Sequence, residues 1–245
     1  MNVLVLAAGY GTRLYPLIKD TPKPLLEINS KPLINYILDR FKNCEGISEI
    51  LVVTNNKFHT HFEAWAKAHT SAPAKIKIYN DGTLTPEDRL GSIGDIDFVL
   101  ERLNEKEDII VVGGDNLFDF DIQKFISFAQ GKSPAITIGV YDIHDKEGAK
   151  KFGVVEADKS GKIVSFEEKP PNPRSTLIAM CFYYFPKNSL GNVGQYLKEV
   201  KKSDTAGDYI RWLVAREVVY SFKFLGKWYD IGSIEAYKEA QEKFK

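Results

Sequence analysis

The chain begins with the stretch "NVLVLAAGYG" (2–11), in which a continuous apolar run stops at Gly9. A strand with one face in water alternates apolar and polar residues, whereas a strand buried on both faces is apolar throughout. The stretch therefore predicts a buried strand over 2–8. Buried strands of this kind belong to parallel sheets that helices cover on both faces.

Further apolar runs alternate with helical patterns through the first half of the chain. Strands are predicted over 49–56, 74–81 and 108–116, and helices over 31–43, 57–69 and 95–105. Strands that alternate with helices in this way are joined in parallel, since each helix carries the chain back to the start of the next strand. We predict a Rossmann-like, doubly wound α/β sheet.

The pattern changes after Asp121, where closely spaced strands follow one another. Strands are predicted over 134–142, 152–158, 162–169, 177–185, 218–224 and 227–233, with helices near 189–200 and 208–217 and at the end of the chain. Short joints such as "DKSGK" (158–162) are typical of hairpins. Because no linker interrupts the chain, we predict an antiparallel extension of the same sheet in a single domain, 1–245, with halves 1–120 and 121–245.

Composition excludes several classes of protein. Of 245 residues, 44% are apolar, and Lys+Arg and Asp+Glu both number 33. A balanced charge favours neither nucleic acid nor a membrane surface as partner. Cys44 and Cys181 lie far apart, so neither a disulfide framework nor a zinc site is expected. No run approaches the ~20 apolar residues of a membrane span, so we expect a cytoplasmic protein, with a homo-oligomer left open.

The loop after the first strand carries the features of a phosphate site. Gly9 and Gly11 let the backbone approach a ligand with its N–H groups turned inward. Arg13 adds a planar fork of donors, and Lys23 lies in a stiff Pro-Lys-Pro segment. The spacing is neither a dinucleotide fingerprint, because Leu14 stands where GxGxxG needs glycine, nor a P-loop. On the two glycines alone, a glycine turn with two surface cations is the favoured interpretation.

Two carboxylates are candidates for a metal. Asp115 follows a buried strand and two glycines that we expect to leave room for a ligand, with a polar strand end as the alternative interpretation. Asp230, in "KWYD", is a second carboxylate that only folding can bring nearby. Mg²⁺ is typically held by one or two carboxylates together with substrate phosphates. We interpret Asp119 and Asp121 as residues that begin a helix.

The segment "LAAGYGTRLYPLIKDTPKPLLEI" (6–28) resembles the signature of the sugar nucleotidyltransferases, with agreement at both glycines, Arg13, Pro16 and "PKP". The resemblance continues through "GGDN" (113–116), "FGVV" (152–155), "FEEKP" (166–170) and "WYDIGS" (228–233). It implies a nucleotide-binding half, 1–120, and a sugar-phosphate-binding half, 121–245.

The resemblance also implies roles for individual residues. Nucleotide binding falls to Ala8, Gly9, Gly11, Thr12, Arg13, Asn80, Gly91 and Asp115, and sugar-phosphate binding to Gly153, Glu168 and Lys169. Arg13 would neutralise the leaving β,γ-phosphates, Lys23 and Lys169 the reacting phosphates, and Asp115 and Asp230 would hold Mg²⁺.

Two of these roles have open alternatives. The loop 80–94 departs from the family pattern, because Asn80 stands where many members have Gln or Glu. Asn80 is suited to contact a base edge or to form the turn before Gly82. Gly153 is suited to approach the sugar or to form a strand bulge.

The implied reaction is the Mg²⁺-dependent transfer of a nucleoside monophosphate from an NTP to a sugar 1-phosphate, giving an NDP-sugar and pyrophosphate. Glucose 1-phosphate with dTTP or UTP is the expected substrate pair. A metal-dependent glycosyltransferase and a non-catalytic sugar-phosphate sensor are the alternatives. We expect none of the C-terminal extensions of longer relatives.

Overall fold

The computed structural model describes residues 1–15, 20–69, 72–104, 106–200 and 205–244, so Pro16 of the motif lies outside the described residues. The chain forms two compact units. The first comprises Met1–Leu90, Val112–Gln123 and Gly226–Lys245, and the second comprises Gly91–Val111 and Lys124–Leu225. The two units interleave along the chain, and the division into halves at residue 120 stays a prediction.

The secondary structure follows the predicted order. The strands are β1 (Asn2–Leu6), β2 (Glu27–Ile28), β3 (Lys31–Pro32), β4 (Glu49–Thr54), β5 (Lys75–Asn80), β6 (Ile109–Gly113), β7 (Asn116–Phe118), β8 (Ile136–Asp142), β9 (Gly153–Ala157), β10 (Ile163–Glu168), β11 (Leu177–Phe185), β12 (Val219–Lys223) and β13 (Trp228–Asp230). The helices are α1 (Leu33–Phe41), α2 (His59–Ala68), α3 (Gly91–Leu100), α4 (Ile122–Gly131), α5 (Lys146–Ala149), α6 (Gly191–Glu199), α7 (Ala206–Val214) and α8 (Ile234–Lys243). No helix of the described residues combines the length and apolar character needed to cross a bilayer.

The first unit contains three parallel strands in the order β1–β4–β5. Strand β4 runs parallel to both neighbours, and Leu51 pairs with Leu4 on one side and Lys77 on the other. The parallel arrangement predicted from the alternating pattern is confirmed. Strands β1 and β4 are almost wholly buried, as expected for strands of a covered parallel sheet, whereas β5 is only partly buried.

The C-terminal segment belongs to this first unit. Strand β13 pairs antiparallel with β7, and Tyr229 lies opposite Leu117. A buried cluster that includes Ile28, Ile231 and Phe244 packs α8 and β13 against the segment after the glycine loop. The short strands β2, β3 and β7 were not predicted, since two or three residues give no periodic signal.

The second unit contains the antiparallel extension. Its strands β10, β9 and β11 lie side by side in this order, and β8 pairs with β11 and with β12. The pairs β9–β10, β9–β11 and β8–β11 are antiparallel, whereas β12 runs parallel to β8. Gly161 turns the predicted hairpin with φ 84°. The predicted fold class, a mixed α/β fold with parallel strands and an antiparallel extension, is confirmed.

Asp142 ties three segments of the second unit together. Its carboxylate accepts hydrogen bonds from Thr176 Oγ1 at 2.6 Å, from Lys223 Nζ at 2.9 Å and from the His144 N–H at 3.1 Å. These bonds, with Thr176 and Lys223 contributing most, hold the pKa of Asp142 well below its ordinary value of 3.8. The ionised form therefore stabilises the folded unit.

We expect Asp142→Asn to lower the free energy of unfolding by about 1–3 kcal/mol at neutral pH. Because the folded-state pKa is depressed, this stabilisation is present above the unfolded pKa near 4 and is lost as the pH falls below it. Urea titrations between pH 3 and pH 8 measure the difference, and Glu156→Gln on β9 is the control. A difference that did not shrink in acid would contradict the assigned charge effect.

Candidate active site

The glycine loop after β1 is anchored by a side chain that sequence reasoning did not identify. Asn55 is fully buried at the end of β4, and its Nδ2 donates to the Ala8 carbonyl at 2.9 Å. Its Oδ1 accepts from the Phe58 N–H at 3.1 Å. Asn55 therefore fixes the loop from beneath. The only sequence signal was a pair of asparagines after an apolar run.

The upper side of the glycine loop is open. Gly9 is exposed, and a Cβ added there would meet no atom of the described residues within 4 Å. Gly11 has φ 61° and caps a 3₁₀ turn, Thr12–Leu14, in which Thr12 and Arg13 are exposed. The loop thus presents bare backbone and the Arg13 guanidinium where the sequence predicted a phosphate.

The second cation, Lys23, contacts a predicted metal ligand. Its Nζ lies 3.0 Å from Asp115 Oδ2, and its side chain is only 13% exposed. Lys23 begins a 3₁₀ turn that Pro22 precedes and Pro24 continues. A Cβ added at Gly114 would lie 2.8 Å from Pro24 Cγ. Pro24 therefore fills the space that we expected a ligand to occupy at Gly114. Close packing against Pro24 explains why this position is a glycine.

The two candidate carboxylates come together through β7 and β13. Asp230 lies opposite Asn116, the residue after Asp115. The Ile231 N–H also donates to the Asp115 carbonyl at 3.0 Å. Pairing of these short strands thus joins two segments that are far apart in sequence.

The charges around Asp230 show that the four predicted groups share one environment. Burial and the negative charge of Asp115 raise the pKa of Asp230 to about 7, while Lys23 and Arg13 act in the opposite direction. Each of these groups acts on the Asp230 carboxyl through its charge, and Lys23 also lies 3.0 Å from Asp115. The first unit therefore collects Arg13, Lys23, Asp115 and Asp230, which we call the charge cluster.

Asn116 supports the charge cluster and was not assigned a role from sequence. It is buried, and its Nδ2 donates to the Gly113 carbonyl at 3.2 Å and to Asp115 Oδ1 at 3.3 Å. Its Oδ1 accepts from Trp228 Nε1 at 2.7 Å. Asn116 therefore orients Asp115 and occupies the indole N–H of Trp228.

The donor set of the charge cluster fits a hard divalent cation. Two carboxylates that repel each other in a half-buried site gain most from a cation between them, and oxygen is the donor that Mg²⁺ prefers. Among the described residues no group of three or more His, Cys, Asp or Glu is placed to hold a metal. A cation here would take its remaining ligands from substrate oxygens and water.

Asn80 and Gly91, which are predicted to bind the nucleotide, are not members of the charge cluster. The Asn80 side chain donates to Asn56 Oδ1 at 2.8 Å and accepts from the Gly82 N–H at 2.9 Å. Turn formation thus accounts for both ends of this amide, and base recognition by Asn80 stays a prediction. Gly91 begins α3 in the second unit with φ 76°, and its nucleotide contact also stays a prediction.

The predicted sugar-phosphate residues lie in the second unit. Glu168 ends β10, and Lys169 follows it with φ 46°, a conformation that is uncommon for lysine. The Lys169 Nζ lies 3.4 Å from Glu168 Oε1. Burial raises the pKa of Glu168, although the charge of Lys169 opposes that shift. Residues held in such sparsely populated backbone conformations cluster at functional sites.

Two glycines make room for this pair. Gly153, on β9, lies opposite Glu168 of β10. A Cβ at Gly153 would overlap the Phe166 ring. The register shift in this hairpin falls between Ile163 and Ser165, so the bulge is not at Gly153. A Cβ at Gly207, in the first turn of α7, would overlap the Glu168 carboxylate. No sequence motif singled out Gly207.

Comparison with known proteins identifies the family to which this chain belongs. A model of the nucleotidyl transferase family matches residues 2–245. The fold is similar to an apo UDP-glucose pyrophosphorylase, with a TM-score of 0.82 and 23% identity over 99% of this chain and 97% of that chain. It is also similar to a UDP-glucose pyrophosphorylase complexed with UDP-glucose, with a TM-score of 0.81 and 24% identity over 99% of this chain and 97% of that chain.

A third similar structure is a Bacillus anthracis protein assigned as a glucose-1-phosphate thymidylyltransferase, in complex with sucrose. Its TM-score is 0.79, with 22% identity over 99% of this chain and 94% of that chain. At these identities the likeness concerns the fold. Because the family model spans nearly the whole sequence, the chain belongs to the nucleotidyl transferase family. It is an enzyme of the nucleotidyltransferase class, and this family generally uses a divalent metal ion.

Proposed function

We propose that the enzyme transfers a nucleoside monophosphate from an NTP to a sugar 1-phosphate and releases pyrophosphate. The observation that carries this proposal is the charge cluster, in which two cations and two carboxylates adjoin a bare glycine loop. A triphosphate needs its charge neutralised at several oxygens, and this cluster supplies that chemistry. The similar solved structures make glucose 1-phosphate with UTP or dTTP the first pair to test.

In the proposed reaction an oxygen of the sugar phosphate attacks the α-phosphorus in line. A new P–O bond forms as the bond from the α-phosphorus to the bridging oxygen breaks, and pyrophosphate leaves with the electron pair. Arg13 neutralises the leaving phosphates, and Lys23 holds the reacting α-phosphate. Lys169 neutralises the sugar phosphate, while Glu168 accepts hydrogen bonds from sugar hydroxyls. Catalysis thus rests on positioning and charge stabilisation.

Asp115 and Asp230 would hold Mg²⁺. The ion would neutralise phosphate charge as a Lewis acid when bound. Lys23 touches Asp115 at 3.0 Å, so Lys23 also limits the repulsion between the two carboxylates. Asn116 keeps Asp115 oriented toward this position.

A panel of NTPs against sugar 1-phosphates, with pyrophosphate release as the signal, tests the proposed function. Release that requires both substrates supports it. A metal-dependent glycosyltransferase would instead consume an NDP-sugar without pyrophosphate, and it has no use for Arg13 and the rigid Lys23 segment. A non-catalytic sensor would bind a substrate and release nothing. The two cations and both carboxylates argue against this second alternative.

We expect Glu168→Ala to raise the KM for the sugar phosphate by roughly 10-fold or more, since each hydrogen bond to a charged group is worth about 1.5–3 kcal/mol. Lys169→Ala should raise that KM and also lower kcat, because its charge acts on the reacting phosphate. The KM for the nucleotide should change little in both variants. Initial-rate kinetics with each substrate varied in turn measure the split. If nucleotide KM rose instead, these residues would belong to the nucleotide site.

Gly207→Ala provides a finer test of the same subsite. The added methyl would overlap the Glu168 carboxylate, so we expect the carboxylate to shift and the sugar-phosphate KM to rise by about 10-fold. Gly191→Ala is the matched control, because Gly191 begins α6 and a Cβ there would meet nothing within 4 Å in the part of the chain that the structure describes. If Gly207→Ala and Gly191→Ala raised this KM equally, the cause would be an alanine in the first turn of a helix and not a shift of the Glu168 carboxylate.

A further inference from the structure

Tyr10 is a buried anchor in an otherwise open loop. It lies between Gly9, which is exposed, and Gly11, which is partly exposed, yet Tyr10 itself is only 5% exposed. Its side chain therefore points into the protein while its neighbours present backbone to the outside. The family signature leaves this position between the two glycines unspecified, so no role was assigned to Tyr10 from sequence.

The Tyr10 hydroxyl enters a short chain of hydrogen bonds. It donates to Thr83 Oγ1 at 3.1 Å, and Thr83 Oγ1 donates in turn to Asp81 Oδ1 at 2.8 Å. Asp81 Oδ1 also accepts from the Thr83 N–H at 2.7 Å. Thr83 is 6% exposed. Buried hydroxyls in series restrict one another, because each must keep one orientation to stay bonded.

The end of this hydrogen-bond series opposite Tyr10 is fixed to the sheet. The Asp81 N–H donates to the Thr54 carbonyl at 2.9 Å, and the Asn56 N–H donates to the Thr83 carbonyl at 3.0 Å. The loop after β5 is thus tied to the end of β4, and through Thr83 it holds Tyr10. All of these residues belong to the first unit.

We propose that Tyr10 and Thr83 are positioning residues for nucleotide binding, through which the loop after β5 holds the glycine loop in the shape that receives phosphates. This inference rests on the proposed nucleotide site. Tyr10 acts through the backbone of its flanking glycines, and Thr83 acts through Tyr10. The two residues therefore serve the phosphates of any NTP, independent of its base.

Tyr10→Phe, Thr83→Val and the double variant test this proposal. Loss of one buried hydrogen bond should raise the KM for the NTP and the inhibition constant of inorganic tripolyphosphate by about 3- to 10-fold each. The KM for the sugar phosphate should stay unchanged. Thr83→Ser keeps the hydroxyl and should restore both constants. Tyr36→Phe is the matched control, since the Tyr36 hydroxyl also makes one hydrogen bond, to the carbonyl of Ile28 in β2 at 2.8 Å.

The double variant should be little worse than the worse single variant, because the two residues form one link. Additive losses would overturn the proposal. The proposal would also be overturned if Thr83→Val weakened NTP binding but left tripolyphosphate binding intact, because Thr83 would then act on the nucleoside. Calorimetry with tripolyphosphate measures binding without catalysis. An enzyme inactive with every substrate pair would thus defeat the proposed function and still leave this inference testable.

Discussion

Asp115→Asn and Asp230→Asn are each expected to lower kcat by about 10³-fold, the largest effects that we predict. Both carboxylates are proposed to hold the Mg²⁺ that neutralises phosphate charge, a contribution of several kcal/mol. Extra Mg²⁺ should rescue each variant only in part. Pyrophosphate release measured over a range of Mg²⁺ concentrations tests both expectations, and Asp121→Asn, an exposed aspartate of the same unit, is the control.

The double variant distinguishes a shared role from two separate ones. If both aspartates hold one ion, removal of the second should cost little once the first is gone. Fully additive losses would separate their roles. Full activity of the wild-type enzyme in EDTA would contradict the assignment of a metal site.

The raised pKa of Asp230 gives this assignment a readout that needs no substrate. The pKa of Asp230 is about 7 in the folded state against an ordinary 3.8. Between these values the folded protein holds a proton on Asp230 that the unfolded chain has lost. The free energy of unfolding that this proton contributes is therefore lost as the pH rises from about 4 to 7. Without metal, Asp230→Asn should therefore unfold at a higher temperature than the wild type, by a margin that grows over this range. Mg²⁺ should reduce that margin above pH 7. A margin independent of pH would contradict the burial of Asp230 beside Asp115.

Arg13→Ala is expected to lower kcat by about 10²–10³-fold, the usual cost of losing one donor that stabilises developing charge. Arg13 lies in the exposed turn after the glycine loop and close enough to Asp230 to affect its pKa. Since it is assigned to the leaving phosphates, the KM for the sugar phosphate should stay nearly constant. Arg13→Lys should recover only part of the rate, because an ammonium lacks the bidentate fork.

The reverse reaction sharpens the test of Arg13. Pyrophosphate is then a substrate, so Arg13→Ala should raise the KM for pyrophosphate, whereas Glu168→Ala should not. Arg89→Ala, another exposed arginine of the first unit, is the control. Unchanged forward turnover in Arg13→Ala would refute the assignment to the leaving group.

Much of this protein's fold could be predicted from local sequence. The apolar runs of β1 and β4 indicate strands buried on both faces, because a water-facing strand would carry polar residues at alternate positions. The "LAAGYGTRLYP" and "PKPLL" segments indicated the family, since glycines, cations and prolines at fixed spacing define one loop. Glu168 and Lys169 were likewise identified because they are adjacent in a motif.

Other features depend on contacts between segments that are distant in sequence, and only the tertiary structure decided them. The pairing of β13 with β7 places Asp230 beside Asp115, and Pro24 fills the space at Gly114 that we expected a ligand to need. Gly207 lies against Glu168, and Tyr10 reaches Thr83. A local pattern reports which face of a strand or helix is buried. It carries no information on which distant side chain fills the space opposite, because that is set by packing and by the need to satisfy every buried polar group.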